Sequence, residues 1–199
     1  MSIKVKITEE LIRGLPKTEL HCHLDGSLRL ESIIDMAQKD KVELPSTDPK
    51  TLRKMVSVTN SNVTLSEYIK KFDITLSVLQ TPESLTRAAF ELAEDAHKEN
   101  VLYIEVRYSP ILHSERGMTP METVDAVLKG LQQAEDEFKI KSGVIICGIR
   151  SISPEISYQL AELSVAFKNR GVVGYDLAGV EENFPAKDHR EAFHLILNN

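Results

Sequence analysis

The 199-residue sequence has no tryptophan, only two cysteines, and no apolar run long enough to cross a bilayer. Cys22 and Cys147 lie far apart, and no C-x-x-C pair occurs. A disulfide framework and a cysteine-built zinc knuckle are therefore excluded. The first residues alternate polar and apolar side chains and have no signal-peptide core. These absences predict a soluble, cytoplasmic protein with no membrane partner.

Clusters of positive charge are also missing. The formal net charge is −6, and no basic run occurs. A protein that neutralises nucleic-acid phosphates needs clustered Lys and Arg, so no nucleic-acid partner is expected. No G-x-G-x-x-G or G-K-[ST] segment is present to cradle a phosphate. The sequence leaves the oligomeric state open.

Helices are predicted by N-terminal caps and by the spacing of apolar residues. Thr81 and Thr119 each precede a proline and then an acidic first turn, and each opens a long amphipathic run. Two further helices fit residues 30–40 and 64–79.

Short segments rich in β-branched residues predict strands at residues 19–24, 101–108, 143–149 and 172–175. Their nearly continuous apolar character is typical of parallel strands that are covered on both faces. Strands and helices alternate, which predicts an α/β fold built from repeated βα units. No linker or internal repeat is visible, so residues 1–199 are expected to lie in one domain.

Polar residues collect where the predicted strands end: His23, Arg107 with Ser109, Arg150 and Asp176. A (β/α)8 barrel builds its active site at the C-terminal rim of its strands. Four βα units make half of such a barrel. The sequence therefore predicts a TIM-type barrel of which this chain holds about the first four units.

His21 and His23 are two residues apart on a predicted strand, so their imidazoles leave the same face. Asp25 continues that parity. Imidazole is a good ligand for Zn²⁺, and such a pair can hold one ion together. Three neighbouring residues take the opposite parity and are predicted to be buried: Leu20, Cys22 and Leu24.

Four segments carry a resemblance to a known family: residues 15–28 (LPKTELHCHLDGSL), 68–73 (YIKKFD), 104–110 (IEVRYSP) and 176–179 (DLAG). Together they resemble the N-terminal part of the adenosine deaminase group of the metal-dependent amidohydrolases. The resemblance covers nearly the whole chain. It implies a (β/α)8 barrel that uses one zinc ion to hydrolyse adenosine or deoxyadenosine to the inosine product and ammonia. The implied partner is a small-molecule nucleoside.

The resemblance also implies roles for individual residues. His21 and His23 would bind zinc, His23 would also face the substrate, and Asp25 would accept a hydrogen bond from a ribose hydroxyl. The backbone N–H of Gly179 would donate to a purine ring nitrogen. Residue chemistry alone leaves simpler roles open, because Asp-Gly is a common turn dipeptide and glycine suits a βα turn.

Leu65, Tyr68, Ile69 and Phe72 repeat at helical spacing and so share one face of the predicted helix. Spacing alone favours core packing for them. The resemblance implies instead that this helix covers the mouth of the pocket and contacts the nucleoside.

Glu105 and Arg107 share a strand face with Ser109 and are predicted to form a buried ion pair. Ser109 and Asp176 are weaker candidates for pocket residues. The remaining histidines have no ligand spacing to one another and are expected to be ordinary: His97, His113, His189 and His194.

Hydrolytic deamination needs more than this chain offers. A catalytic zinc keeps about three or more protein ligands, and a general acid or base must protonate the ring and escort the ammonia. In the family these groups lie in a His-Ala-Gly-Glu segment and in later strands, so the general acid and the remaining ligands are expected beyond Asn199. We therefore expect no catalytic residue within this chain and no activity from the chain alone.

Other functions stay open at this point. A His-x-His-x-Asp start also resembles TatD-type deoxyribonucleases, although the acidic charge opposes DNA binding. Adenine deaminases and deaminases of N6-modified adenine nucleotides share the fold, but Asp25 would repel a 5′-phosphate and so favours a nucleoside. A non-enzymatic binding module, truncated from an enzyme, is the remaining alternative.

Overall fold

The computed structural model describes residues 6–58 and 63–199. Helices α1 to α9 span the following residues: Glu9–Gly14, Leu30–Asp40, Pro49–Val56, Leu65–Ile69, Phe72–Val78, Pro82–Lys98, Pro120–Phe138, Pro154–Phe167 and Arg190–Leu197. Strands β1 to β4 span Lys17–His23, Val101–Tyr108, Lys141–Ile149 and Val172–Ala178. Short 3-10 helices follow β2, α8 and β4 at Pro110–His113, Lys168–Arg170 and Ala186–His189. Within the described ranges, no helix combines the length and apolar character that a membrane span requires.

The four strands form one parallel sheet in sequence order, β1-β2-β3-β4. His23 lies beside Arg107, and Cys147 lies beside Asp176. Helices connect each strand to the next, so consecutive strands pair through βα crossovers. The predicted fold is confirmed, since this arrangement is a partial (β/α) barrel.

Local signals explain the main helices. Thr81 Oγ1 accepts from Ser84 N–H at 3.2 Å, and Thr119 forms a complete capping box with Glu122. Both helices begin at the proline after the cap, as predicted, and α2 and β2 have the predicted bounds. Buried apolar side chains of α6 and α7 form a core with β2 and β3: Leu85, Ala89, Val127, Leu131, Ile104 and Val144.

The helix predicted over residues 64–79 is broken. The structure has α4 at Leu65–Ile69 and α5 at Phe72–Val78, with Lys70 and Lys71 between them. The Lys71 ammonium donates to the carbonyl of Met55 at 3.0 Å, in the last turn of α3. Apolar spacing continues across the break, so it could not reveal this tertiary contact.

Leu20 was predicted to be buried, and this prediction is wrong. Its side chain is 55% exposed, whereas Leu24 is 1% exposed and Cys22 is half-buried. β1 is an edge strand of the described sheet and has an irregular register between Glu19 and Cys22. Leu20 therefore has a neighbouring strand on one side only.

Candidate active site

The two histidines of β1 lie side by side at the C-terminal end of the strand. The ring centroids of His21 and His23 are 5.5 Å apart, and the rings are tilted by 54°. His21 is exposed, and His23 is half-buried with Phe72 packed edge-on at 6.1 Å. The alternation of the strand thus places both imidazoles in one region of the rim.

Asp25 lies directly after β1 and is 5% exposed. Its Oδ1 is 3.7 Å from His23 Nδ1 and has no hydrogen-bond partner among the described residues. The turn is fixed by Leu24 N–H, which donates to Arg107 O at 3.0 Å, and by Ser27 Oγ–H, which donates to His23 O at 2.6 Å. A buried acceptor without a partner is costly, so this carboxylate is suited to accept a hydrogen bond from a ligand.

The segment α4–α5 covers the turn after β1. The Phe72 ring lies so close to the turn that a Cβ on Gly26 would be 3.2 Å from it, and Tyr68 packs against Phe72 at 5.4 Å. Leu65, Tyr68 and Ile69 are 52%, 43% and 36% exposed, so the core packing that their spacing favoured is wrong. The four candidates divide into one half-buried ring over the turn and three exposed side chains.

A cavity of about 350 Å³ lies between this turn and the helices above it. Its walls include Asp25 from the turn, Tyr68 from α4, and Phe72 with Thr75 from α5. Asp25, Tyr68 and Phe72 therefore border one cavity, which His21 and His23 do not line.

Arg107 does not pair with Glu105, and the predicted ion pair is wrong. The Arg107 guanidinium contacts the His21 ring, with Nη1 3.0 Å from Nδ1, and forms a salt bridge with Asp176 on β4. Glu105 instead accepts a hydrogen bond from the Tyr103 hydroxyl at 2.8 Å. The long arginine side chain reaches across β3, whereas Glu105 finds a donor two residues away on its own strand.

Two more candidates lie at the rim without a shared contact. Ser109 is 2% exposed, and its Oγ has no hydrogen-bond partner among the described residues. Asp176 is held by Arg107, and Cys147 Sγ–H donates to it over 3.9 Å. Burial raises the pKa of the Cys147 thiol to about 12, so this cysteine is a neutral donor near neutral pH.

Gly179 follows β4 with a φ of +104°, a conformation that favours glycine. A Cβ at this position would also lie 3.4 Å from Ile149 Cγ2. Gly179 therefore has the turn conformation that the sequence analysis left open for it. A contact between its N–H and a purine stays a prediction.

The donor chemistry at the rim suits a metal only in part. His21 and His23 supply two imidazoles, which are suitable zinc ligands. Residues 6–58 and 63–199 contain no group of three or more His, Cys, Asp or Glu side chains that could hold a metal ion. The pair thus fits as part of a coordination shell.

The last residue, Asn199, has a structural contact of its own after α9. Its side-chain amide donates to the carbonyl of Leu195 at 2.9 Å, and its backbone carbonyl accepts from the Lys168 ammonium. Asn199 therefore closes the end of α9 and takes no part in the cluster around His21 and His23. The placement of a general acid and further zinc ligands beyond Asn199 stays a prediction.

Of the four other histidines, His113 and His189 are buried, whereas His97 and His194 are exposed. His113 is fully buried, lies 2.9 Å from Leu79 O through Nδ1, and has its pKa lowered by burial. His189 Nε2 lies 3.1 Å from Arg150 O. Since a carbonyl only accepts, both rings donate and hold loops in place. Sequence reasoning missed the contact between Arg107 and His21, although it placed Arg107 at the rim and His21 on the first predicted strand.

A parallel βα sheet in sequence order, with a His-x-His pair ending its first strand, is the architecture of an amidohydrolase-type barrel. The chain belongs to the adenosine deaminase family, because the model of that family, described as "Adenosine deaminase", matches residues 16–199. This match places it with deaminases rather than with TatD-type nucleases.

Relatives with curated names support the same family. A "Probable adenosine deaminase" of Dictyostelium discoideum is 40% identical over 97% of this chain and 25% of its own length. An "Adenosine deaminase" of Clostridium botulinum (strain 657 / Type Ba4) is 45% identical over 88% of this chain and 53% of its own length. The chain thus spans between a quarter and about half of these relatives.

Solved structures share the fold. The adenine deaminase of Arthrobacter aurescens superposes with a TM-score of 0.81 at 24% identity, over 92% of this chain and 54% of that protein. The N6-mAMP deaminase of arabidopsis gives a TM-score of 0.78 at 26% identity, over 96% of this chain and 58% of that protein. In both cases the shared part is about half of the larger protein.

Proposed function

We propose that the complete protein hydrolyses adenosine or deoxyadenosine to inosine or deoxyinosine and ammonia, and that this chain supplies the first half of one barrel domain. The observation that carries the proposal is Asp25. Its buried Oδ1 has no hydrogen-bond partner among the described residues and lies 3.7 Å from His23 Nδ1, and the residue borders a cavity that Phe72 also lines. A nucleoside offers what this arrangement needs, since its sugar hydroxyl donates and its flat base packs against an aromatic ring.

The residues of the chain then divide the work. His21 and His23 would hold one zinc ion, which when bound supplies the Lewis acid that activates water near neutral pH. Asp25 accepts the sugar hydroxyl, and the Gly179 N–H donates to a ring nitrogen of the purine. Phe72 and Tyr68 exclude water from the base. Ser109 and Asp176, near the ends of β2 and β4, would line the part of the pocket that faces the interior of the complete barrel.

We further propose that the 199-residue chain alone is inactive. The described residues bring two imidazoles together but contain no group of three metal donors. Two unpaired cysteines suit a reducing compartment, which supports a cytoplasmic location. Loss of the ultraviolet absorbance of adenosine on incubation with the purified, zinc-loaded chain would contradict the proposal that the chain alone is inactive.

The test of the function uses the complete gene product. Asp25→Ala should lower kcat/KM for adenosine about ten- to a hundredfold, because a hydrogen bond to a charged group is lost. Glu9→Gln, at an exposed site on α1, is the matched control and should leave kcat/KM unchanged. Adenosine analogues that each lack one sugar hydroxyl then identify the donor, since one of them should react equally with parent and variant.

Adenosine, adenine and AMP should be compared in the same assay. The Asp25 carboxylate would repel a 5′-phosphate, so adenosine is expected to react best. Faster turnover of AMP or adenine would move the assignment to a nucleotide or base deaminase. Absence of turnover with all three would favour a binding module.

A further inference from the structure

Arg150 directly follows β3 at the rim, and its side chain reaches the loop of residues 179–185 that follows β4. Nη2 donates to Glu181 Oε1 at 2.8 Å, and Nη1 donates to the carbonyl of Phe184 at 3.3 Å. The Arg150 side chain is 16% exposed, whereas that of Glu181 is 78% exposed. A largely buried guanidinium thus anchors an exposed loop.

The anchored loop contains a tight turn at residues 181–184. Phe184 N–H donates to Glu181 O at 3.1 Å, and Asn183 has a φ of +64°. The Arg150 side chain therefore contacts the first and the last residue of this turn. Among the described residues, no other side chain donates a hydrogen bond to the loop of residues 179–185. Its attachment to the neighbouring strand thus depends on one guanidinium.

The main chain of Arg150 lies against the start of the same loop. Arg150 N–H donates to Ala178 O at 2.8 Å, and a Cβ on Gly179 would be 3.5 Å from Arg150 N. Within residues 6–58 and 63–199, the Gly179 N–H donates to no backbone carbonyl. The loop therefore begins beside the Arg150 main chain with a donor available to a ligand, and its turn ends on the Arg150 side chain.

We propose that Arg150 is a positioning residue, whose guanidinium holds the loop of residues 179–185 so that the Gly179 N–H stays in place for a purine ring nitrogen. A loop that must be ordered during binding lowers the affinity, so a loop that is already tethered binds its ligand more tightly. The proposal rests on the proposed function in one respect, the hydrogen bond from Gly179 to the purine. It adds that Arg150, through this loop, sets how tightly the base is held.

The first test measures the tether in the complete protein without a ligand. Endoproteinase Glu-C cleaves after glutamate, and mass spectrometry follows the initial rate of cleavage after Glu182. Arg150→Met removes both side-chain contacts but keeps the backbone hydrogen bond to Ala178. It should raise the cleavage rate about three- to thirtyfold, the equivalent of one or two hydrogen bonds. Glu181→Ala removes the Nη2 contact alone and should raise the rate by a smaller factor.

Arg190→Met is the matched control, because it removes an exposed arginine, paired with Glu191, from the helix that follows the loop. Its cleavage rate should equal that of the parent. Far-ultraviolet circular dichroism checks that each variant is folded. If Arg150→Met does not fold, the faster cleavage expected of Glu181→Ala decides the question, since Glu181 is exposed.

The second test asks whether Arg150 acts through Gly179. Calorimetry measures the dissociation constants of inosine, the proposed product, and of its 3-deaza and 7-deaza analogues, each of which has one ring nitrogen replaced by C–H. Arg150→Met should weaken the binding of inosine about three- to tenfold. For one analogue the same substitution should change nothing, because an analogue without the accepting nitrogen has no contact with Gly179 to lose.

Unchanged cleavage after Glu182 in folded Arg150→Met would overturn the proposal, as would equal losses of affinity for inosine and both analogues. Neither experiment reads deamination, and the cleavage test needs no ligand. A failure of the proposed function therefore appears in the assay of adenosine turnover, whereas a failure of the role of Arg150 appears in the cleavage rates and in the comparison of the analogues.

Discussion

Helices α6 and α7 approach so closely at Gly130 that a methyl group has no room. A Cβ on Gly130 would lie 2.1 Å from the carbonyl oxygen of Thr86 and 3.0 Å from Ala89 Cβ. The first of these neighbours is backbone, which cannot rotate away. Gly130→Ala must therefore push the helices apart by about 0.9 Å to restore a separation of 3.0 Å, the lower limit for real Cβ contacts.

Two opposing effects decide the result. Alanine stabilises a helix interior by up to about 1 kcal/mol relative to glycine. Overpacking a tight contact costs about 1 to 3 kcal/mol or more. Separation also weakens the hydrogen bond from Thr86 Oγ1 to Ala126 O, now 3.0 Å, which contributes about 0.5 to 1.5 kcal/mol. The net loss of unfolding free energy is about 1 to 3 kcal/mol, equivalent for this chain length to a decrease in Tm of roughly 3 to 10 °C.

Thermal unfolding followed by far-ultraviolet circular dichroism measures this loss. Gly14→Ala is the matched control, because a Cβ there has nothing within 4 Å and φ is not in the left-handed region. Its Tm should stay close to that of the parent. A Tm for Gly130→Ala at or above the parent value would refute the reasoning, since helix propensity would then outweigh packing.

Three further outcomes are expected. Arg29→Ala removes a partly buried cation from two carboxylates of α6 and should lower the free energy of unfolding, measured by chemical denaturation, by about 1 to 2 kcal/mol. Arg13→Ala, in an exposed pair, should leave the free energy of unfolding unchanged. Burial raises the pKa of Cys147 from 9.0 to about 12, so its contribution to stability is full below pH 9 and is lost as pH rises towards 12. Between pH 7 and pH 10, urea titrations should show a smaller decrease in the free energy of unfolding for Cys147→Ala than for the parent. Equal decreases would contradict this expectation. In the complete protein, His21→Ala and His23→Ala should each reduce the zinc content measured by atomic absorption. A variant with unchanged zinc content would show that its residue is not a zinc ligand.

Local chemistry made much of the fold predictable. The caps at Thr81 and Thr119 act through hydrogen bonds to residues three positions away, so the sequence contains both partners. Strand β2 is bounded correctly because a continuous apolar, β-branched run is itself the signal for a buried parallel strand. The helix starts and the bounds of β2 thus depend on residues that lie within a few positions of each other in the sequence.

Two predictions were wrong because the deciding partner lies elsewhere in the chain. Periodicity extended one helix across Lys71, whose ammonium is bound by a carbonyl of α3. Parity gave Leu20 the same side as Leu24 but could not show that the edge strand leaves it exposed. Period and parity describe one element, whereas helix breaks and burial depend on its neighbours.

The partner of Arg107 at the candidate site also could not be predicted from one strand. Strand alternation assigns Glu105 and Arg107 to one face, and side chains two residues apart on a strand are separated by about 6.6 Å along it. A guanidinium can bridge that distance, so the ion pair was a reasonable prediction from one strand. The curved sheet offers Arg107 nearer partners, because the inward side chains of β1 and β4 converge on it from both sides. At the rim of a barrel, sequence thus predicts which residues face the interior. Register and curvature decide which of them meet, and here they bring Arg107 against the His21 ring and Asp176.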